Sequence, residues 1–258
     1  MIAATDDLPS MQDRHQNHLD LASDLRSYGR RRGRKFSDRQ AALLRDVLPR
    51  VAFDLSTPFA PSGRLDEGES RPLGSPLAGE GAKQVFLEIG FGGGEHLIWQ
   101  AERNPNVMLI GCEPFEDGVV KVLARIDEHK LDNIRIHMGD ARDVLRALPE
   151  ASIARAFILF PDPWPKKKHV KRRLVGKPLL DLLARAIKPG AELRIGTDIG
   201  DYARTLLLAF EATPAFRWMA TSPQDWRQRP ADWPPTRYEA KAIREGRQRY
   251  FLTFVRQN

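Results

Sequence analysis

The 258-residue chain contains a single cysteine, Cys112, and no long apolar run. One cysteine excludes an intramolecular disulfide framework and a thiol-rich metal cluster, and it favours a reducing compartment. The apolar stretches are too short to cross a bilayer, which takes about 20 residues. The N-terminal segment also has no apolar signal core. We therefore expect a cytoplasmic protein that does not associate with a membrane.

Acidic residues are fewer than basic ones, 34 against 41, so the formal net charge is +7. A basic excess favours a polyanionic partner, because each cation placed on a phosphate releases condensed counterions. The same excess also fits an ordinary basic soluble protein. The position of the charge is more informative, since basic residues are concentrated at 30–35 and at 166–173.

Four regions follow one another along the chain. Residues 1–37 read as a disordered arm that ends in a basic segment, and residues 1–24 have little periodicity. Ser37 or Asp38 is placed to cap a helix over 38–54. The apolar face of this helix comprises Leu43, Leu44, Val47 and Leu48. Residues 55–82 are rich in Pro, Gly and Ser and are predicted to form a linker, and 83–258 form the main domain.

The main domain alternates apolar strand-like runs with helical patterns. The predicted strands are QVFLEIG, VMLIGCE, NIRIHMGD, ARAFILFPDP and AELRIGTD. Strand–helix alternation with continuously apolar strands predicts a parallel sheet covered on both faces. FRWMA and QRYFLTFVR are predicted to add an antiparallel edge pair. The fold class is therefore α/β, a Rossmann-like doubly wound sheet with its ligand site at the carboxyl ends of the strands.

A glycine-rich turn follows the first predicted strand in LEIGFGGGEH. Gly90, Gly92 and Gly94 permit a tight turn and close approach of a ligand, although a plain structural turn has the same pattern. Glu95 takes the place of the third glycine of a dinucleotide-binding turn. Glu88 would repel a pyrophosphate but suits a cationic group. Electrostatics thus favour S-adenosylmethionine, which has an ammonium, a sulfonium and no phosphate, over NAD.

Two further carboxylates follow the next two predicted strands. Glu113 is placed to accept hydrogen bonds from ribose hydroxyls, as acidic residues do in dinucleotide folds. Asp140 can accept a bond from the adenine amino group, or it can simply cap the following helix. With Glu88, these residues should line one crevice. The arrangement resembles the class I S-adenosylmethionine-dependent methyltransferases.

The fourth predicted strand runs into FPDPWPKKKHVKRR. Asp162 lies between two prolines, where the backbone is stiff, and its position places it beside the methyl group of the cofactor. Trp164 can stack on a base or pack on the domain. The basic run next to it suits phosphate contacts. His169 has no second metal ligand at a recognisable spacing, so we expect it to belong to the basic surface and we predict no metal site.

Together, LEIGFGGG, GCEPF, FPDPWPKKKHVKRR and PPTRYEAKA are similar to the bacterial tRNA guanine-N7 methyltransferases over about residues 84–254. The segment SYGRRRGRK is similar to the basic N-terminal segment of that family. The resemblance implies transfer of a methyl group from S-adenosylmethionine to N7 of a guanosine in tRNA. It also implies that this guanosine lies in the variable loop.

The resemblance implies roles for particular residues. The cofactor-contacting acids are Glu88, Glu113, Asp140 and Asp162, and Asp162 is also the catalytic aspartate. The substrate-contacting residues are Lys166, Asp198, Thr236, Arg237, Tyr238 and Glu239. The RNA-interacting stretch contributes Lys168, His169, Lys171, Arg172 and Arg173. Ungapped spacing from Asp162 selects Lys166 for this role, and Lys167 is the alternative if the spacing differs. Without the resemblance, Asp198 reads as a helix cap and Glu239 as a surface salt bridge.

The target atom fits what the sequence offers. Guanine N7 has a lone pair and no proton at neutral pH, so the reaction needs no general base, and no activated cysteine or histidine pair is evident. The main requirement is orientation of N7 towards the methyl group. Asp162, Asp198 or Glu239 can accept the N1–H and amino group of guanine and ease the arriving positive charge.

Other functions remain open on the sequence alone. PDPW is close to the Asp/Asn-Pro-Pro-aromatic signature of amino-group methyltransferases, with Trp164 in place of the second proline. A small-molecule methyltransferase and a catalytically silent RNA-binding module on the same fold are further alternatives. A nicotinamide oxidoreductase is disfavoured by Glu88 and the glycine spacing. We expect a monomer, because no long apolar stripe is predicted at the surface.

Overall fold

The computed structural model describes Gly33, residues 35–56, Phe59 and residues 84–258. The predicted disorder of residues 1–24, most of the basic arm and most of the predicted linker lie outside the described residues. The sheet and the helices around it can therefore be compared with expectation, and so can the helix that precedes them.

The first helix, α1, begins after Ser37, whose hydroxyl accepts from Gln40 N in a capping box. It consists of three consecutive parts, α-helical Asp38–Ala42, π-helical Leu43–Val47 and α-helical Leu48–Val51. Pro49 explains the wide middle part, since a proline ring crowds the preceding turn and cannot donate a helical hydrogen bond. The predicted apolar face is confirmed, because its members pack on the main core.

The sheet has seven strands in the order β3-β2-β1-β4-β5-β7-β6. Their bounds are β1 Gln84–Ile89, β2 Val107–Cys112, β3 Ile134–His137, β4 Ile153–Leu159, β5 Ile187–Thr197, β6 Phe216–Trp218 and β7 Tyr250–Arg256. The first five strands pair in parallel, and β7 pairs antiparallel with both β5 and β6. The predicted doubly wound α/β sheet with an antiparallel edge pair is thus confirmed.

The helices after α1 connect these strands. They are α2 Glu95–Arg103, α3 Glu116–His129, α4 Ala141–Ala147, a 3₁₀ helix Lys167–Arg172, α5 Lys177–Ala186, α6 Gly200–Glu211, α7 Gln224–Arg227 and α8 Arg237–Arg244. The short helix α8 was not predicted. Its first turn carries the TRYE tetrad, and Thr236 caps it by accepting from Glu239 N. No helix among the described residues is long and apolar enough to cross a bilayer.

Apolar side chains fill both faces of the sheet. Along β1, Leu87 and Ile89 belong to one buried cluster and Phe86 to the other. Continuous burial of this kind is why the parallel strands read as unbroken apolar runs. A fully buried Leu or Ile contributes roughly 1.5–3 kcal/mol, so the central strands form a rigid base for the loops at their ends.

The segment that follows α1 joins the same body. Phe53 N donates to Ile136 O at 2.9 Å, next to an isolated parallel bridge between Ala52 and Ile136. Val51 packs in the cluster on one face of the sheet and Phe53 in the cluster on the other. The helix predicted over 38–54 therefore extends the main domain past the β3 edge.

Candidate active site

The predicted acidic residues meet at one edge of the sheet. Glu88 lies near the end of β1, Glu113 directly follows β2, and Asp140 and Asp162 come shortly after β3 and β4. Because these strands are parallel neighbours, their carboxyl ends share an edge. Burial is the main reason that the pKa of Glu113 is raised, and the charges of Asp162 and Glu88 raise it further. These three groups therefore lie within each other's electrostatic field.

The glycine turn is held by Glu113. Gly92 N donates to Glu113 Oε2 at 2.8 Å, and Phe115 N donates to Oε1 at 2.9 Å. Gly90, Gly92 and Gly94 have φ of 74°, 53° and 76°, which side chains rarely adopt. A Cβ at Gly90 would meet no protein atom within 4 Å. The turn thus presents open backbone to the crevice.

Glu88 belongs to a buried polar chain that the sequence did not reveal. His96 Nδ1 lies 2.7 Å from Glu88 Oε2, and both side chains are almost fully buried. Gln100 Nε2 lies 3.1 Å from His96 Nε2 and donates to Asp232 O at 3.3 Å. The amide is a donor here, so His96 accepts through Nε2 and donates through Nδ1. This chain of contacts holds the Glu88 carboxylate in one orientation.

Asp140 caps the helix that follows β3, which is one of the two roles that the sequence left open. Its carboxylate caps α4 by accepting from Arg142 N at 3.0 Å, and it also accepts from Arg142 Nε at 2.8 Å. Burial favours the protonated form, but the hydrogen bonds from Arg142 outweigh it and hold the pKa of Asp140 below its usual range. The capping bond leaves the carboxylate at the crevice edge, ionised and oriented.

This edge suits a cationic ligand without phosphate. Glu88 and Glu113 carry negative charge beside the open turn, where a pyrophosphate would be repelled. Each Glu113 oxygen accepts one backbone bond and has a further lone pair for a hydroxyl donor. An ammonium, a sulfonium and a ribose diol therefore fit the groups present. Among the described residues, no three His, Cys, Asp or Glu side chains are grouped to hold a metal ion.

The reaction segment after β4 has an unusual backbone. Phe160 and Trp164 have φ of 51° and 41°, in the left-handed region that bulky residues rarely occupy. Phe160 N donates to Gly196 O at 2.7 Å, which continues the ladder past the end of β4. Between them, Asp162 is exposed, and no hydrogen bond or ion pair holds it within the described residues. Its carboxylate is therefore available to a ligand.

The basic run forms the 3₁₀ helix that follows Asp162 by a few residues. Its exposed side chains are those of Lys167, Lys168 and Lys171, and Lys166 precedes it, also exposed. Arg172 lies over the Trp164 ring at 5.0 Å, and the His169 ring meets the edge of the same ring at 5.8 Å. The pKa of His169 is lowered, by burial and by the charges of Arg172 and Lys166.

Arg173 departs from the predicted role in RNA contact. Its side chain is only 3% exposed. Its Nε donates to Pro163 O at 3.0 Å, its Nη1 donates to Thr205 Oγ1 at 2.5 Å, and it pairs with Asp201. Arg173 thus ties the proline-flanked segment to α6. Helix geometry explains this difference, because consecutive side chains of a basic run point in different directions and some of them face the interior.

The TRYE tetrad lies over the glycine turn. Arg237 pairs with Glu95 in the first turn of α2, and Tyr238 Oη is 3.1 Å from where a Cβ at Gly92 would lie. Glu239 is buried, with Arg229 Nε 3.2 Å from its Oε2 in an ion pair that lacks hydrogen-bond geometry. The surface salt bridge considered for Glu239 is therefore wrong, because the carboxylate is inside the domain.

Asp198 follows β5 and is partly buried. Its Oδ2 accepts from Arg247 Nε at 2.8 Å and lies 2.7 Å from Arg247 Nη2. It does not cap α6, whose N-cap position is Ile199. Asp198 and the tetrad are brought to the same carboxyl edge as Asp162. Lys166 lies four residues after Asp162, in the loop that follows β4.

Several site residues escaped the sequence prediction. His96 and Gln100 are four apart on α2 and so share one helix face, the only local signal they had. Arg229 and Arg247 have no motif, and each meets its acidic partner only through tertiary contact. Phe160 looked like the last apolar residue of a strand. Its left-handed backbone could not be predicted from residue type.

Comparisons with known proteins agree with this geometry. A family model described as "Putative methyltransferase" matches residues 82–252. The tRNA (guanine-N(7)-)-methyltransferase of Roseobacter denitrificans is 47% identical over 89% of this chain and 95% of its own length. Proteins with the same name from a Ruegeria species and from Rhodospirillum rubrum are 46% and 47% identical, each over 90% of this chain and 88% of their own length.

Proposed function

Because the chain belongs to the tRNA (guanine-N7-)-methyltransferase family, we propose that it transfers the methyl group of S-adenosylmethionine to N7 of a guanosine in tRNA. We also propose that this guanosine lies in the variable loop. One observation carries the proposal: an edge of carboxylates around an open glycine turn is followed directly by an exposed cationic helix. A cationic cofactor and a polyanionic substrate have complementary surfaces there.

In this proposal the cofactor is held by groups on the first three strands. Glu88 attracts its ammonium group, Glu113 accepts from its ribose hydroxyls, and Asp140 accepts from its adenine amino group. The backbone at Gly90 is open and allows close approach, and Gly92 and Gly94 complete the turn beside it. When bound, S-adenosylmethionine supplies an electrophilic methyl group. The buried contacts of Glu88 and Glu113 orient these carboxylates before any ligand arrives.

Asp162 acts at the methyl-transfer position and also contacts the cofactor. It extracts no proton from the base, since N7 has none to lose; it orients guanine and offsets the positive charge that arrives on the ring. Glu239 and Asp198 are further acceptors for N1–H and the amino group. Lys166, Thr236, Arg237 and Tyr238 complete the substrate contacts, which act mainly by orientation.

Phosphate contacts come from the cationic helix. Lys168, His169, Lys171 and Arg172 face outward or lie partly exposed beside Asp162. We propose that the basic N-terminal segment adds to these contacts, and Gly33 within it lies next to the carboxylate of Asp117 in the first turn of α3. We also propose that the protein acts as a monomer, and that it is cytoplasmic because its proposed substrate is tRNA.

The decisive experiment is methyl transfer from labelled cofactor to an unmodified tRNA transcript, followed by digestion and mass analysis of nucleosides. We expect 7-methylguanosine, and we expect none when the variable-loop guanosine is replaced by adenosine. A methylated exocyclic amino group would favour the amino-group alternative. Absence of cofactor binding in calorimetry would favour a silent RNA-binding module.

The RNA half has a separate test. Lys168→Ala and Lys171→Ala should each weaken tRNA binding severalfold and reduce the salt dependence of log K by about one unit of slope per lost contact. Lys188→Ala is the matched control, since Lys188 is equally exposed but lies near the start of β5, at the opposite edge of the sheet. Equal effects in all three variants would contradict the assignment.

A further inference from the structure

Two aromatic rings face each other beside the carboxylates. The rings of Phe160 and Tyr238 are nearly parallel, at 19°, with their centroids 6.4 Å apart. They come from distant parts of the chain, the end of β4 and the first turn of α8. Tyr238 is 43% exposed, which is unusual for a large aromatic side chain that serves only packing.

The conformation of Phe160 aims its ring at this position. A phenylalanine in the left-handed region is uncommon and persists only where the surroundings impose it, most often at functional sites. Its peptide N–H is fixed by Gly196 O, and its Cε2 is 3.4 Å from the position of a Cβ at Gly196. The ring therefore lies over the end of β5, two residues before Asp162.

Tyr238 faces the same acidic crevice from the other side. Its hydroxyl approaches Gly92 in the glycine turn. Its pKa is raised, chiefly by burial, and then by the charge of Glu113, with Asp162 and Glu95 adding to the effect and Arg237 opposing it. The ring thus lies against the glycine turn, within reach of the charges of Glu113 and Asp162.

We propose that Phe160 and Tyr238 hold the target guanine between their faces during methyl transfer. The inference rests on the proposed function and names a binding contact for it. Carbon atoms of stacked rings meet at about 3.5 Å, so a base between two faces needs about 7 Å. The gap between the two faces is at most the 6.4 Å between their centroids. The half-exposed Tyr238 must therefore move outward to admit the base.

The chemistry gives the clamp a catalytic role beyond binding. The N7 lone pair forms the bond to the methyl carbon, and the bond from that carbon to sulfur breaks, its electron pair returning to sulfur. The sulfonium becomes a neutral thioether, and the guanine ring becomes cationic. Aromatic faces attract cations, so the pair stabilises the ring more as the methyl group arrives. Such a contact raises kcat as well as affinity.

The other aromatic residue of the segment is less suited to this task. Trp164 already carries Arg172 over its ring and His169 against its edge. An alternative for the Phe160–Tyr238 pair is simple packing, since Phe160 also contacts the buried cluster on its side of the sheet. Packing alone would affect stability and leave the chemical step unchanged at saturation.

Single-turnover kinetics at saturating tRNA and cofactor test the proposal. Phe160→Leu and Tyr238→Leu should slow methyl transfer about 10- to 100-fold, in line with a stacking and cation–π loss. Tyr238→Phe and Phe160→Tyr, which keep the ring faces, should recover most of that rate. The matched control is Phe216→Leu, which breaks an edge-on pair with Phe210 at the opposite edge of the sheet and should leave the rate unchanged.

Two further measurements make the outcome unambiguous. Cofactor affinity by calorimetry should be unchanged in the Leu variants, and the wild type should bind 7-methylguanosine more tightly than guanosine, a preference that the Leu variants lose. Leu variants that keep the wild-type rate, or that match Phe216→Leu, would overturn the clamp. A wild type that forms no 7-methylguanosine in tRNA would instead overturn the proposed function.

Discussion

The two sides of the crevice differ in how their charged groups are held. On the cofactor side, Glu88, Glu113 and Asp140 each accept hydrogen bonds from the protein and are largely buried. On the reaction side, Asp162 is exposed, and the lysines of the 3₁₀ helix point into solvent. The first side is built in advance of its ligand. On the second side, a bound partner would have to supply the contacts of these charged groups.

This difference matches the ligands we propose. A small cofactor gains most from carboxylates that are already oriented, because little entropy is then lost on binding. A folded RNA has its own rigidity and a dense row of phosphates, which mobile lysines can follow. Arg173 is the exception that connects the sides, since it is buried and fixes the carbonyl of Pro163 beside Asp162.

The sharpest way to test the reaction side is Asp162→Asn. We expect single-turnover methyl transfer to fall at least about 100-fold, because the charge that offsets the cationic ring is removed. The melting temperature should hold, since the side chain is exposed. Asp181→Asn, which removes an equally exposed carboxylate paired with Lys177 on α5, should leave activity intact. Robust methylation by Asp162→Asn would remove this residue from the mechanism.

Arg173 and Arg172 are expected to have different roles, since Arg173 stabilises the fold and Arg172 contacts tRNA. Arg173→Ala should lower the free energy of unfolding by about 2 kcal/mol, because it removes a buried guanidinium together with its hydrogen bonds to Pro163, Thr205 and Asp201. Arg172→Ala should cost less than about 1 kcal/mol and instead weaken tRNA binding. Chemical denaturation and filter binding measure the two quantities. Similar stability losses in both variants would contradict the supporting role of Arg173.

On the cofactor side, His96→Phe keeps a ring against Phe157 and Trp233 but removes the bond to Glu88. We expect cofactor Kd to rise about tenfold, because Glu88 loses its orienting donor. His129→Phe is the control, since it breaks a half-exposed pair with Glu102. Calorimetry measures both. An unchanged Kd in His96→Phe would make the buried chain purely structural.

The smallest expected effect is the pH dependence of Glu113. Its pKa is raised in the folded chain, so protonation there stabilises the fold at low pH and that contribution is lost as the pH rises through the raised value. Ribose hydroxyls need the ionised form as acceptor. Cofactor affinity should therefore decline a fewfold as the pH falls through the raised pKa of Glu113. Glu113→Gln should bind more weakly at neutral pH and lack this decline, and an identical decline would assign it to another group.

Much of the fold was predictable because its signals are local or periodic. Parallel strands buried on both faces give unbroken apolar runs, and the Ser37 capping box and glycine turn are read from neighbouring residues. The boundary residues of the strands came within a few positions of the observed ones. The order in which β7 enters between β5 and β6 was not evident, because strand pairing depends on contacts far apart in the chain.

The candidate site divides in the same way. The positions of Glu88, Glu113, Asp140 and Asp162 follow from strand ends, so their shared edge was predicted and is confirmed. The role of each remains a prediction. The partners His96, Arg142, Arg229 and Arg247 were not foreseen, and Arg173 was expected at the surface. The sequence gives the position of a charged residue, but only packing decides whether its side chain faces solvent or the interior.

By itself, then, the sequence determined a doubly wound sheet with acids at its strand tips, because hydrophobic periodicity and parallel pairing leave few other arrangements. Only the tertiary structure decided which of those acids are held by buried donors, which arginine is internal, and that Phe160 and Tyr238 face each other. Those outcomes depend on contacts between residues that are far apart in the chain, such as Phe160 and Tyr238. They also depend on burial, because the energy of a charge or a ring changes with its surroundings.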